Sequence, residues 1–447
     1  MSSRVITAAD KEVVECLQGH HSFALIAGAG SGKTTSLVDA LDQIRVKEGA
    51  GLRKNGQRIA CITYTKRAVG VIHGRLGVDD LFNVSTLHSF VWGEIGRFQQ
   101  DIRNALEVSR IPALIAKAKE DDNGGNSQRA IKAREKAERL TEELSTIGDV
   151  ETFVYDDAAY SNYAEGRLSH DDVIEISAYL LSERPNFRRL LGNRYPYIFV
   201  DEAQDTFIPV IEGLNKTCAG DQLPLVGYFG DPWQQIYEGR AGDFRPPDGG
   251  RFITKAENFR SAPEVIKFLN AFRKDVKQVP AGENKKLKGS VAIYLIERQK
   301  PDAPRGRYTE EQLQAALAAM DRALAFWEWV DRTDVIRLFL VRQMIARRLG
   351  FEALHQLFTG PFASQRAQAD YEEGEHFLLK PFVQIICPLL AAYQQESQRL
   401  VIDILREHSP AYSTGGPNAS RTLKEMADLS KKQLKELSEF WAKGTIK

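Results

Sequence analysis

The chain has 447 residues, with 60 basic and 60 acidic side chains and a hydrophobic content of 43%. This length and composition predict a globular protein of two or more domains and argue against a fibrous or disordered one. The formal charge of zero excludes a uniformly basic nucleic-acid binder, although lysine and arginine can still cluster in a local channel.

The spacing of the cysteines and the length of the apolar runs indicate the cellular compartment. Cys16, Cys61, Cys218 and Cys387 are far apart and form no CxxC pair, which argues against a zinc site or a disulfide framework and suits a reducing cytosol. The first residues lack a basic stretch followed by an apolar run, and no apolar run approaches 18 residues. We expect a cytoplasmic protein that does not act at a membrane.

The first informative stretch is 23–35, FALIAGAGSGKTT. An apolar run meets a glycine-rich turn, and apolar residues then recur at helical spacing, so the predicted order is strand, loop and helix. Backbone N–H groups of such a loop close around a phosphate, and the helix N-terminus adds a favourable dipole. The residues predicted to bind a nucleoside triphosphate are Ala27, Gly28, Ala29, Gly30, Ser31, Gly32, Lys33, Thr34 and Thr35.

Two of these residues have specific chemistry. Lys33 is expected to reach the β- and γ-phosphates, and the hydroxyl of Thr34 is expected to bind Mg²⁺. Ala27 stands where a glycine is usual, but alanine is small enough for that turn. The alternative, an incidental glycine-rich turn, does not account for the flanking strand and helix.

Further strands precede polar motifs. Apolar runs at 58–64, 197–200 and 224–229 are predicted strands, and the last two lead into DEAQD and GDPWQQIYEG. Between the first two, residues 96–165 change to a charged, helical pattern, which we predict to be an insertion. Strands that alternate with helices and end in polar motifs predict an α/β protein: a doubly wound parallel sheet of the P-loop NTPase kind. The first domain is expected to comprise 1–95 and 166–282.

The motifs after these strands predict a phosphoryl-transfer site. Asp201 is expected to hold Mg²⁺ and Glu202 to polarise the attacking water, whereas an acidic pair without a P-loop could be a helix cap. Gln204 and Gln234 are hydrogen-bonding residues placed where the γ-phosphate could be sensed. Arg260 could stabilise charge that develops during transfer, or form a surface ion pair.

The pattern beyond Asn284 is weaker. The runs 291–296 and 335–342 are predicted strands of a second α/β domain over 283–360, with a helix at 313–330 between them. Residues 361–447 are predicted to be helical.

Six motifs, AGAGSGKTT, TYTKRA, STLHSF, DEAQD, GDPWQQIY and ENFRS, occur in the order and rough spacing of one family. Over about residues 1–275 the chain resembles the UvrD/Rep-type superfamily 1A DNA helicases, and LFLVR faintly resembles the entry to their second motor domain. The resemblance implies two RecA-like domains, the second incomplete here, with 96–165 and 361–447 as the 1B-like and 2B-like parts. It also implies ATP, Mg²⁺, single-stranded or partly duplex DNA and 3′-to-5′ movement.

The resemblance implies roles for individual residues. Phe259 would stack on adenine, Arg260 would contact the γ-phosphate, and Gln204 and Gln234 would couple the γ-phosphate to the DNA path. The residues implied to bind DNA are Thr63, Tyr64, Thr86, His88, Tyr237 and Arg240. Tyr64 fits on physical grounds as well, because an aromatic face stacks on any base. A core tyrosine and a packed histidine remain the alternatives for Tyr64 and His88.

The chain departs from the family in three places. Asp10 replaces the glutamine that reads adenine, which leaves the preference for ATP open. After Tyr237 the usual aromatic–Arg–Gly sequence is absent, so Trp233 or Tyr237 would have to supply the stacking ring. The late motifs, including one that supplies an arginine finger, are not found before Lys447. We therefore expect either a fragment of a longer helicase or a natural short form, and weak hydrolysis by the isolated chain.

Two hypotheses follow. The first is an ATP-dependent translocase and helicase. The second is a non-unwinding ATP switch that regulates a partner such as a nuclease, which the missing late motifs favour. A GTPase is disfavoured because nothing resembles an NKxD motif.

Overall fold

The computed structural model describes residues 5–77, 79–122, 124–158, 161–218, 223–237, 239–297, 299–302, 308–360, 363–374, 376–412, 415–416 and 420–443. The chain divides into two compact units, Met1–Ile293 and Tyr294–Lys447. The described strands, all in the first unit, are β1 (Phe23–Ala27), β2 (Ile59–Thr63), β3 (Phe82–Thr86), β4 (Val154–Ala158), β5 (Arg167–Ser169), β6 (Tyr197–Asp201), β7 (Leu225–Gly230), β8 (Arg251–Lys255), β9 (Glu257–Asn258) and β10 (Val279–Pro280).

Helices separate most of these strands. Those of the first unit are α1 (Ala8–Gln18), α2 (Lys33–Lys54), α3 (Lys66–Leu76), α4 (Leu87–Ile95), α5 (Gln99–Ala105), α6 (Ile111–Asp121), α7 (Gln128–Thr146), α8 (His170–Glu183), α9 (Pro185–Arg194), α10 (Ile208–Thr217) and α11 (Pro263–Phe272). Those of the second are α12 (Glu310–Phe326), α13 (Arg342–Leu349), α14 (Glu352–Thr359), α15 (Gln365–Glu373), α16 (Cys387–Gln394), α17 (Gln398–His408) and α18 (Leu423–Lys443).

Six strands form the central sheet in the order β3-β2-β6-β7-β1-β8, and every neighbouring pair is parallel. Successive side chains of a strand point to opposite faces, and both faces are apolar here. Phe23 and Leu25 join one buried cluster with residues of α1 and α2, whereas Ala24 joins another with residues of α4, α8 and α10. Helices therefore cover both faces, and the predicted doubly wound parallel sheet is confirmed.

The segment predicted to be a helical insertion contains α5, α6, α7 and one strand that the sequence pattern did not indicate. That strand, β4, pairs with β5 just before α8 begins. Arg110, on the π-helical turn between α5 and α6, donates from Nε to the fully buried Asp172 of α8 at 2.8 Å. The pair fixes these helices to the first helix that follows them.

The second unit corrects two strand predictions. Neither 291–296 nor 335–342 is a strand in the structure, and the described residues of 294–447 contain helices and irregular segments only. A strand needs a hydrogen-bonded neighbour, and that part of the structure offers none, so Leu338 remains 90% exposed. The expected second α/β domain thus has no sheet there. Across the described residues, no helix combines the length and apolar character needed to cross a bilayer.

Candidate functional site

The predicted motifs lie at the carboxyl edge of the central sheet, where the glycine-rich loop follows β1, the strand between β7 and β8. Gly30 and Gly32 have φ values of +78° and +82°, a left-handed conformation that glycine adopts without steric cost. Helix α2 begins directly afterwards at Lys33, and no described side chain caps it. Its first backbone N–H groups are therefore directed at the loop, as an anion site requires.

The motif after β9 folds onto this loop. The backbone N–H of Phe259 donates to the carbonyl of Gly30 at 2.9 Å. A Cβ at Gly30 would lie 2.7 Å from Oδ1 of Asn258 and 2.8 Å from Cβ of Arg260. The same Asn258 oxygen accepts the backbone N–H of Arg260 at 2.9 Å. The structure therefore brings Phe259 and Arg260 to the P-loop.

The loop side chains fit a phosphate chain. Lys33 is 8% exposed, and its Nζ donates to the carbonyl of Ala27 at 3.2 Å. The buried Oγ of Ser31 has no hydrogen-bond partner among the described residues, and such a group is costly unless a ligand satisfies it. Arg75, which lies outside the predicted motifs, donates from α3 to Oγ1 of Thr35 at 3.1 Å.

The acidic pair lies at the end of β6. Asp201 is 3% exposed, and burial together with the neighbouring Glu202 carboxylate raises the pKa of Asp201 to about 7, against the opposing effect of Lys33. A divalent cation would favour the charged carboxylate, and the carboxylate and hydroxyl oxygens of Asp201 and Thr34 are of the kind that Mg²⁺ prefers. Glu202 has φ +51°, a strained conformation that clusters at functional sites.

A chain of hydrogen bonds connects Glu202 with the next strand. Gln204 donates from Nε2 to Oε2 of Glu202 at 2.9 Å and accepts at Oε1 the backbone N–H of Asp231 at 3.0 Å. Gln234 donates to Oδ2 of Asp231 at 2.6 Å. Since β6 and β7 are neighbours in the sheet, both predicted glutamines lie in one network with Glu202.

Beside this network is a row of seven rings and one guanidinium, which we name the aromatic track: Tyr64, Tyr237, Arg240, Phe207, His88, His170, Tyr155 and Trp92. Tyr237 is exposed, and the other seven side chains are partly buried. The rings of Tyr64 and Tyr237 are 5.1 Å apart, and Cζ of Arg240 is 3.3 Å from the centre of Phe207. His88 packs edge-on against Phe207 at 6.4 Å. Burial and the hydrogen bond with Tyr237 raise the pKa of Tyr64 to about 12, so its phenol is neutral.

The track continues toward the helical insertion. His88 lies 5.2 Å from His170, and Nδ1 of His170 is 2.6 Å from the hydroxyl of Tyr155, whose ring packs edge-on against Trp92 at 5.8 Å. Phe207, His170, Tyr155 and Trp92 were not among the predicted residues, because no motif spacing marks them. His170 is fixed because it opens α8 behind a capping box.

Two predicted DNA-binding residues have other surroundings. Thr63 is 1% exposed and its buried hydroxyl has no partner among the described residues, so its side chain does not lie on the aromatic track. Thr86 caps α4, accepting the backbone N–H of Ser89 at 3.4 Å, and is partly exposed.

Asp10 is held by a buried ion pair. Its Oδ1 accepts from Nζ of Lys255 at 2.7 Å and from Oγ of Ser36 at 2.6 Å, and its Oδ2 accepts both N–H and O–H of Thr7 at 2.9 Å. Burial opposes the charged form, but these hydrogen bonds outweigh it and lower the pKa of Asp10 to about 2. Four donors occupy the carboxylate, which ties α1 to α2 and β8.

The sheet, the glycine-rich loop and the acidic pair define a P-loop protein of the nucleotide-binding class. Residues 6–246 match the family described as UvrD/REP helicase N-terminal domain. Because the match covers more than half of the chain, the chain belongs to the UvrD/REP helicase family, as its motifs indicated.

Curated relatives show how far the likeness extends. Gabija protein GajB of Bacillus cereus (strain HuB5-5) is 24% identical over 74% of this chain and 56% of its own length. An ATP-dependent helicase/nuclease protein of Streptococcus uberis is 23% identical over 70% of this chain and 27% of its own length. ATP-dependent DNA helicase UvrD1 of Mycobacterium tuberculosis is 26% identical over 55% and 36%. The matches therefore span about half of these relatives or less.

Proposed function

We propose that this chain supplies the nucleotide-hydrolysing, DNA-gripping domain of an ATP-dependent helicase that moves 3′-to-5′ on single-stranded DNA. The observation that carries the proposal is the position of Gln204. Its amide contacts Glu202 on the nucleotide side and the backbone of Asp231 at the start of the loop that contains Tyr237. One side chain thus connects the site proposed to hydrolyse ATP with the loop proposed to contact DNA.

Different groups of the chain have different roles in ATP hydrolysis. Backbone N–H groups of the P-loop and the Lys33 ammonium hold the phosphates, and Thr34 and Asp201 hold Mg²⁺, which when bound neutralises phosphate charge. Glu202 accepts the proton of the attacking water. Gln204 orients Glu202 through the 2.9 Å hydrogen bond, and Arg260 stabilises the negative charge of the transferred group.

The aromatic track serves the grip on DNA. Its rings are partly buried or, at Tyr237, exposed, and Arg240 adds a positive charge over Phe207. An aromatic face stacks on any base, so the grip is independent of sequence.

The test is ATP hydrolysis measured with and without a single-stranded oligothymidylate. We expect the oligonucleotide to raise the rate, and Lys33→Ala to abolish nucleotide binding in a fluorescent-nucleotide titration. An exposed-lysine variant, Lys285→Ala, should match the wild type. Unchanged nucleotide affinity in Lys33→Ala would refute the P-loop assignment, and a rate indifferent to DNA would refute the motor.

A second candidate is an ATP switch that controls a nuclease without unwinding DNA. It is favoured by the names of two relatives, the helicase/nuclease protein of Streptococcus uberis and the exonuclease/helicase subunit RexA of Lactococcus lactis. The same assay separates the candidates, because a switch binds ATP but its hydrolysis does not respond to single-stranded DNA. Strand displacement from a partly duplex substrate would exclude the switch.

A further inference from the structure

Arg273 lies outside every motif, yet its guanidinium is buried beside the nucleotide site. It follows the last residue of α11 and is 7% exposed. Nη1 and Nη2 each lie 2.9 Å from a different oxygen of Asp231, a bidentate pair, and Nη2 also donates to Asp275 at 2.8 Å. Such planar, two-point pairing fixes orientation as well as charge.

The same guanidinium lies against the P-loop. A Cβ at Gly28 would be 3.1 Å from Nη1 of Arg273 and 2.3 Å from Nε2 of Gln278. Gln278 donates to the carbonyl of Ala29 at 3.0 Å. Gln278 and the guanidinium of Arg273 therefore fill the space beside Gly28, and a shift of the loop backbone toward that side displaces both side chains.

Asp231, the partner of Arg273, orients two further groups. Its Oδ2 accepts from Gln234, and its backbone N–H donates to Gln204, the residue that contacts Glu202. Its Oδ1 accepts the backbone N–H of Trp233 at 3.2 Å. Arg273 thus acts on these residues through one carboxylate.

The guanidinium of Arg273 also lies near an exposed ring. Cζ of Arg273 lies 5.8 Å from the centre of Trp233, within cation–π range. Trp233 is 57% exposed, and the same loop continues to Ile236, which is 75% exposed. Arg273 is in contact range of both the P-loop and this exposed loop.

We propose that Arg273 is a positioning residue that couples the state of the nucleotide site to the exposed Trp233 loop. The coupling rests on the proposed function. A nucleotide that moves the P-loop backbone at Gly28 shifts the Arg273–Asp231 pair, and the pair carries the backbone and ring of Trp233 with it. Coupling between two binding sites is reciprocal. A ligand of the Trp233 loop therefore changes the nucleotide affinity by the same factor as the nucleotide changes the affinity of that ligand.

The test uses the full chain and ATPγS–Mg²⁺. Binding is followed with a fluorescent nucleotide, and the Trp233 signal is obtained by subtracting the tryptophan fluorescence of Trp233→Phe from that of the otherwise identical protein. We expect a nucleotide-dependent change in the wild type. Arg273→Met should lose it while nucleotide affinity changes less than about threefold, and stimulation of hydrolysis by oligothymidylate should fall about fivefold or more.

Two further variants complete the test. Arg273→Lys keeps the charge but loses two-point pairing, so its Trp233 response should fall even if Arg273→Met does not fold. Asp275→Asn removes the other ion pair and should keep the response. A wild-type chain that binds ATPγS without a Trp233 change, or an undiminished response in Arg273→Lys, overturns the inference. A chain that does not bind ATPγS overturns the proposed function instead.

Discussion

The nucleotide edge of the sheet and the aromatic track are neighbours built in opposite ways. At the nucleotide edge the polar groups are buried, with Asp201 3% and Asp231 1% exposed, and hydrogen bonds fix Gln204 at both ends of its amide. Along the track most contacts are ring packing, tilted between Tyr64 and Tyr237 and edge-on between His88 and Phe207, and the rings stay partly exposed. Preorganised polar groups stabilise the charge that develops during a reaction. Exposed ring faces can stack on successive bases of a single strand that moves past them.

The largest expected effect lies at the nucleotide edge, in Glu202→Gln. Loss of the proton acceptor should lower ATP turnover about 100-fold to 10,000-fold, while nucleotide affinity is retained. Phosphate release and a nucleotide titration measure the two quantities. Glu212→Gln, an exposed glutamate of α10, is the matched control. If Glu202→Gln still turns over, another group is the base and this edge is not organised as described.

The next effect belongs to the track. Tyr237→Ala, which removes the exposed ring of the track, should weaken binding of oligothymidylate by about 1–3 kcal/mol, the usual contribution of one stacked base, without changing nucleotide affinity. Fluorescence anisotropy of a labelled oligonucleotide measures it. Tyr237→Phe should bind normally because it keeps the ring, and Phe252→Ala, which removes an exposed ring of β8, is the control. If the variant lost DNA affinity and nucleotide affinity equally, the aromatic track would not be a binding site separate from the nucleotide edge.

A smaller effect concerns stability and pH. The pKa of Asp10 is about 2 in the folded chain and about 4 when unfolded, so the charged form stabilises the fold by about 2 kcal/mol above pH 4. That contribution is lost as the pH falls from about 4 through 2. Urea unfolding at several pH values should show Asp10→Asn less stable at pH 7, with the difference narrowing in acid. Asp80→Asn, whose carboxylate is 93% exposed, should show no such change.

The smallest expected effect comes from Gly30→Ala. The left-handed conformation costs a non-glycine residue about 1–2 kcal/mol, and the new Cβ would lie 2.7 Å from Asn258. ATP affinity should therefore fall about tenfold. Gly51→Ala, in α2 with no atom within 4 Å of its added Cβ, should leave affinity unchanged. A normal affinity in Gly30→Ala would mean that the P-loop backbone can shift without loss of nucleotide binding.

The nucleotide edge was predictable because each of its groups follows an apolar strand, and parallel strands deliver their carboxyl ends to one edge. Gln204 and Asp231 are 27 positions apart in sequence, but they are hydrogen-bonded for that reason. Phe207, His170 and Tyr155 carry no such mark, since only tertiary packing brings their rings together. Arg273 was not predicted for the same reason, because only tertiary packing brings it to Asp231. The run 335–342 failed for the opposite reason: its apolar composition fits a strand, but composition supplies no hydrogen-bonded neighbour.

The order of the strands has a consequence for how the domain is made. β1, which carries the P-loop, pairs with β7 and β8, strands that leave the ribosome some 200 residues later. Until then β1 has no hydrogen-bonded neighbour, and Asp10 cannot meet Lys255, 245 positions away. Contacts so distant in sequence form late and slowly. The P-loop strand is therefore synthesised well before the strands that complete the nucleotide site. Nascent chains that end before β8 should expose β1 to chaperones.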